Sequence, residues 1–150
     1  ELHNISHQLH PAKLENLGLV AALLSHCREL SARYGMQVKF EQHDIPEHLP
    51  PDITLCLYRI LQEALRNVQK HSGSQKAAVR LRGNADGIEL SISDPGVGFR
   101  MTPRQRGGGL GLISMEERLR MVGGKLTIES APSHGTRISV WAPLKTNTQV

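Results

Sequence analysis

Apolar residues recur along this chain with two different periods, and the places where the period changes mark its elements. From Ala12, positions Leu14, Leu17, Val20, Ala21, Leu24, Cys27 and Leu30 return at steps of three and four, the spacing of one helix face. The pattern predicts a helix ending near Tyr34, with Gly35 as its stop. Val38 and Phe40 then alternate with Lys39 and Glu41, a short strand. Prolines 46, 50 and 51 mark a loop over 43–52. A second helix is predicted from about Asp52 to His71, on the wide stripe of Ile53, Leu57, Ile60, Leu61, Ala64, Leu65 and Val68. Ala77, Val79 and Leu81 alternate, a turn follows at 84–87, and Ile88, Leu90 and Ile92 share one parity, which predicts a hairpin. A third helical period runs to Met121 and stops at Gly123 and Gly124. Two closing strands set Leu126 and Ile128, then Thr136, Ile138, Val140 and Ala142, on single faces around a turn at 132–135.

Polar residues that interrupt this pattern carry the candidate chemistry. Asp94 has the parity of Ile88, Leu90 and Ile92, so the strand carries a carboxylate out of its core-facing row, where it needs donors. Gly96 and Gly98 follow at once, freeing the backbone to turn and letting a flat or charged ligand approach with no Cβ in the way. Gly107, Gly108, Gly109 and Gly111 open the third helical segment, where glycine amides at a helix start suit a phosphate. An acid for a base and amides for phosphates together describe a nucleotide pocket. On the second helix Arg59, Glu63, Asn67 and Lys70 with His71 fall at steps of three and four on one face. Glu63 and Asn67 offer two hard oxygens one turn apart, suited to Mg²⁺ or a water on it. Such pairs are also common on solvated helix faces, and spacing alone does not choose between the readings. Residues 99–106 are polar and aperiodic; they read as a lid with Arg104 and Arg106 as phosphate contacts, or equally as a solvated loop.

Composition narrows the class. At 150 residues, 39% apolar and 21% charged, the chain fits one ordinary globular domain with a real core. Aromatics make up only 3%, so the core is aliphatic and base-stacking platforms are poorly supplied. The net charge of +4 is modest and dispersed, which argues against direct nucleic-acid binding. Cys27 and Cys56 sit in apolar helical patterns without a C-x-x-C partner and read as buried thiols of a reducing compartment. The apolar run from Leu17 to Leu24 is too short to span a bilayer. A start at Glu1 reads as a fragment of something longer.

Two familiar phosphate motifs are excluded. After Gly96 and Gly98 the third Rossmann glycine is replaced by Met101, and after Gly109 and Gly111 by Ser114. Gly124-Lys125 lacks both the earlier glycine and the following Ser or Thr of a P-loop. What fits is Q-E-A-L-R-N-V-Q-K-H at 62–71, D-P-G-V-G-F at 94–99, G-G-G-L-G-L at 107–112 and G-T at 135–136. In order and spacing these resemble the N box and glycine boxes of the GHKL ATPase superfamily of gyrase, Hsp90, MutL and histidine kinases. L-C-L-Y-R-I-L-Q-E-A-L-R-N and G-L-I-S-M-E-E-R-L-R-M-V-G-G resemble, more narrowly, nitrate-sensor-like two-component sensor histidine kinases.

The resemblance implies an α/β two-layer sandwich of the Bergerat type, a mixed, mostly antiparallel sheet covered on one face by helices. It implies binding of ATP with Mg²⁺: Asn67 ligating the metal, Glu63 polarising a water or assisting transfer, and Asp94 accepting from the adenine amino group. Gly96 and Gly98 would shape the adenine pocket, Gly107, Gly109, Leu110 and Gly111 would wrap the phosphates, Lys70 and His71 would lie near them, and Thr136 near adenine. Pro95 stands where many members carry a polar residue, inside an intact D-x-G-x-G frame. His3, His7 and His10 are followed by Asn4, Gln8 and Pro11 rather than by an acid, so none has the usual context of a phosphoacceptor. The expected layout is a linker remnant at 1–11, the ATP-binding domain at 12–145 and a polar tail at 146–150. The expected function is the catalytic domain of a cytoplasmic kinase segment, monomeric when isolated, with anchoring of the parent in the inner membrane left open. Its γ-phosphoryl would pass to a histidine on a dimerisation segment outside this chain and then to a response-regulator aspartate. The rivals are an ATPase conformational switch, which predicts hydrolysis by the isolated chain, and a nucleotide-sensing docking module that has lost transfer.

Overall fold

The computed structural model describes residues 18–99 and 111–144, apart from the side chain of Leu112. Helix α1 (Leu19–Tyr34) leads to strand β1 (Gln37–His43), helix α2 (Pro51–Asn67) with a π-helical turn Val68–Ser72, the hairpin β2 (Lys76–Gly83) and β3 (Gly87–Asp94), helix α3 (Leu112–Met121), and strands β4 (Lys125–Ser130) and β5 (Thr136–Pro143). The five strands order β1-β2-β3-β5-β4, with β1 and β2 parallel and the other neighbours antiparallel. This is the expected mixed, mostly antiparallel sheet. The βαβ unit that makes the one parallel pair uses α2 as its crossover.

Helix α2 is the centre of the helical layer. It begins at Pro51, whose fixed φ suits a first turn, and Asp52 lies where the helix dipole favours an acid. Every residue of its predicted stripe is buried, and so are Cys56, Tyr58 and Gln62, because α1 and α3 flank it while its main face meets the sheet. The sheet's inner face supplies Ala77, Val79, Leu81, Ile88, Leu90, Ile92, Ile138, Val140 and Ala142, so strand parity decides what is buried. Cys27 and Cys56 are free and buried, and burial pushes their thiols up to about 12 and about 11.

Three sequence expectations change. The stripe of α1 is Leu19, Ala22, Leu23 and Cys27, not the row through Val20, Ala21 and Leu24. Residues 17–24 are apolar nearly all round, so the pattern there shows a helix but not which way it faces. The second helix is α-helical only to Asn67; its last turn widens to a π turn that closes at Gly73 with φ 75°. Strand β1 extends to His43, beyond its alternating apolar pair, because it pairs along its whole length with β2. The expected domain limits at 12 and 145, His3, His7 and His10, and the lid arginines lie outside the described residues.

Candidate functional site

The register of the sheet places Asp94 opposite Thr136, and Thr136 opposite Ser130, in one rung across β3, β5 and β4. The Ser130 and Thr136 hydroxyls are 2.8 Å apart. Ser130 Oγ also accepts from the Phe99 N–H at 2.9 Å and donates to the Gly135 carbonyl at 3.1 Å. Ser130 has a single proton, so with that proton on Gly135, Thr136 is the donor of the hydroxyl pair and keeps its own lone pairs as acceptors. Ser130 thus ties the turn after Asp94 to the last two strands. Its parity with Leu126 and Ile128 was visible in the sequence; its partners lie 5, 6 and 31 residues away and were not.

Asp94 Oδ1 accepts from the Gly96 N–H at 2.8 Å, an Asx-type turn. Burial raises the carboxyl above its ordinary value, and the Gly96 amide pulls in the opposite direction. The turn is held from both sides: the Val97 N–H donates to the Ser72 carbonyl at 2.8 Å, and the Ser133 N–H to the Val97 carbonyl at 2.7 Å. A Cβ on Gly96 would lie 2.7 Å from Ser72 Cβ, and one on Gly98, at φ 63°, would lie 2.8 Å from the Gly135 carbonyl and still closer to that of Ala131. The space a side chain would need at these two glycines is thus filled by the protein itself, at Ser72 and Asp94 for Gly96 and at Ala131 and Gly135 for Gly98. Buried Ser72 gave no signal in the sequence, because its importance comes from the π turn that aims its carbonyl.

Asn67, His71, Asp94 and Thr136 line one cavity, roofed in part by Gly98 and Phe99. It measures about 40 Å³, little more than one water's share of the liquid. A far larger open groove of about 1260 Å³ follows one end of the sheet and meets this cavity at Asp94 and Thr136. Glu63 and Lys70 do not join the cavity; they line a separate groove among the helices. The residues of the expected single face are thus divided between two concavities, Asn67 and His71 lining one and Arg59, Glu63 and Lys70 the other. Glu63 instead leans on Gly111, the residue before α3, where a Cβ would lie 2.7 Å from the Glu63 Cδ. Arg66 faces Glu63 at 3.9 Å. Gly107, Gly109 and Leu110 lie outside the described residues.

An acid on a glycine turn, an Asn one turn beyond a Glu, and a helix opened by Gly111 converge around one end of a five-stranded sheet. Residues 53–146 match the family described as Histidine kinase-, DNA gyrase B-, and HSP90-like ATPase. The chain belongs to that ATPase family. Membership implies that ATP is its nucleotide. Among curated ATPases of this kind the chain is 33% identical over 144 residues to the oxygen sensor histidine kinase NreB of Staphylococcus carnosus, covering 96% of this chain and 42% of NreB. It is 35% identical over 152 residues to the sensor histidine kinase MctS of Rhizobium johnstonii, covering 100% of this chain and 33% of MctS. The chain therefore spans 33% to 42% of the length of these relatives. Among solved structures it resembles the histidine kinase domain of the Erythrobacter litoralis EL346 blue-light activated histidine kinase, with TM-score 0.67 at 20% identity over 84% of this chain and 65% of that one. It also resembles the Acinetobacter baumannii histidine kinase AdeS, with TM-score 0.68 at 13% identity over 96% of this chain and 78% of that one. At those identities the likeness is one of fold. Among the described residues no helix is long and apolar enough to cross a membrane.

Proposed function

We propose that this chain is the catalytic part of a sensor histidine kinase, binding Mg-ATP and presenting its γ-phosphoryl to a histidine on a segment outside it, for relay to a response-regulator aspartate. The observation that supports this best is the cavity in which Asp94 meets Asn67, His71 and Thr136. Asp94 is the acceptor for the adenine amino group, and Thr136 adds a hydroxyl beside it. The donor set fits magnesium, which takes one or two protein oxygens and completes its shell with water and phosphate oxygens. Asn67 would supply one such oxygen and Glu63, one turn away, would act through water. Bound there, the metal would neutralise charge on the phosphates. Glu63, held against Gly111 and beside Arg66, would assist the transfer by taking a proton from the acceptor imidazole.

Calorimetric titration of ATP with and without Mg²⁺ tests the reading. Wild type is expected to bind saturably, and Asn67→Ala to bind roughly tenfold more weakly with Mg²⁺ but nearly unchanged in chelator. Equal loss in both conditions would remove Asn67 from the metal. No binding by wild type would refute the proposal.

The same titration has a pH signature. Asp94 accepts most strongly from an amino group when ionised, and its carboxyl is raised by burial. Affinity is therefore expected to fall on acidification at a higher pH than an exposed Asp would give. Folding favours the protonated form of a group raised in this way, so acidification through its titration adds stability at Asp94. Binding lost in parallel with a falling melting temperature would contradict the assignment.

A further inference from the structure

Strand β1 ends the sheet, and its far side is an open edge: among the described residues no strand pairs with it. The Gln37 N–H donates to the Gln75 carbonyl at 2.7 Å, so the backbone groups of Gln37 turn toward β2. The period of a strand turns those of Lys39, Glu41 and His43 the same way and leaves the N–H and C=O groups of Val38, Phe40 and Gln42 facing outward. The chain leaves β1 on the side away from this edge, since Asp44 and Pro46 close over Gly83 at the end of β2. The side chains divide by face. Val38 and Phe40 are half-buried against the core. Lys39 and Glu41, 77% and 39% exposed, stand on the other face.

We propose that β1 pairs with the β1 of a second copy of this chain, antiparallel and centred on Phe40, so that two five-stranded sheets join into one. The strand runs Gln37–His43, and Phe40 is its midpoint. A two-fold axis there sets Phe40 opposite the partner's Phe40 and Val38 opposite the partner's Gln42. All of these have outward backbone groups, so each pair exchanges both of its N–H···O bonds. Lys39 then stands opposite the partner's Glu41, and Glu41 opposite the partner's Lys39, in the pairs without backbone bonds, where side chains come closest. Charge fixes this register. Centring one residue earlier sets Lys39 against Lys39, and one residue later Glu41 against Glu41. A slip of two leaves only three residues of each strand paired. An edge guarded against pairing carries lysines or a proline; β1 carries one charge of each sign, equidistant from its centre. The contacts given up are weak: Lys39 meets Glu41 of its own strand at 3.9 Å and Arg80 approaches Glu41 at 3.5 Å, both on exposed surface. This self-complementarity selects a copy of the chain over an unrelated extended peptide. A seven-residue edge is less than a standard interface, so the isolated chain dimerises only at high concentration, in place of the monomer expected from its sequence. The pairing does not rest on the function proposed above.

Sedimentation velocity of the chain from about 10 to about 500 μM provides the test. Wild type is expected to move from monomer toward dimer and to stop there, because a two-fold contact closes on itself. Lys39→Glu and Glu41→Lys, each alone, set like charges opposite one another at both ion-pair positions and are expected to weaken the dimer about tenfold. Mixed in equal amounts, the two variants set Glu opposite Lys at both positions, and dimer at the wild-type level is expected to return. Gln42→Pro removes an outward N–H and leaves the ladder to β2 intact, so it is expected to abolish the dimer while the melting temperature stays near that of wild type. A monomer at every concentration would overturn the proposal, as would mass growing beyond the dimer. So would a dimer that survives Gln42→Pro or is indifferent to both charge reversals. Single variants that dissociate and do not recover on mixing would overturn it as well, since charge would then not set the register.

Discussion

Asp94→Asn is expected to reduce ATP affinity on the order of 100-fold, from the loss of a charge-assisted hydrogen bond and the mismatch of an amide against the adenine amino group. The substitution suits the question because it disturbs little else. An Asn side-chain oxygen can still accept from the Gly96 N–H, so the turn that starts at Asp94 keeps its first bond. The carboxyl is raised by burial, so its ionised form opposes folding and a neutral amide relieves that cost. A melting temperature equal to or above wild type, with binding lost, is the expected combination. Titration calorimetry and thermal unfolding on the same sample read both. An Asp94→Asn chain that binds ATP within a few-fold of wild type would show that the adenine is recognised elsewhere, with the open groove beside Asp94 and Thr136 the first place to look.

The fold was legible wherever one face alone is buried. Strands β2, β3 and β5 alternate cleanly, and each apolar residue predicted inward on these three strands is buried. Asp94 could be placed at the end of its row for the same reason, since side chains of period two leave only one parity for the pocket. Helix faces were harder. In α1 the apolar run surrounds the helix, and after α2 the last turn is π-helical, a change of hydrogen-bond pattern that no residue type announces. The polar framework of the site was the least legible part. Ser72, Ser130 and Phe99 act through bonds to Ser74, Val97, Thr136 and Gly135 that exist only after the π turn, the glycine turn and the last hairpin have met. A short serine carries no distinguishing pattern until its partners are placed.

Gly135→Ala is expected to destabilise the chain by at least ~2 kcal/mol. Gly135 is buried at φ 74°, a backbone conformation that costs an L side chain strain even in open space. There is no open space. A Cβ would press on the Asp94 carbonyl and lie 3.1 Å from Pro95 Cα, so what must yield is backbone and not the end of a flexible side chain. The segment that yields holds the rung of Asp94, Thr136 and Ser130, and the Gly135 carbonyl is itself the acceptor for Ser130. Stability and nucleotide binding should therefore fall together, unlike in Asp94→Asn, where they separate. Urea unfolding is expected to show a lowered midpoint at unchanged slope, because the same surface is exposed on unfolding. A Gly135→Ala chain with wild-type midpoint and wild-type ATP affinity would mean that the turn relaxes freely and that the rung does not depend on its geometry. Gly35→Ala provides the contrast: it has a comparable φ of 73° at the end of α1 but nothing within 4 Å, so it should show the strain alone, about 1–2 kcal/mol, with binding intact.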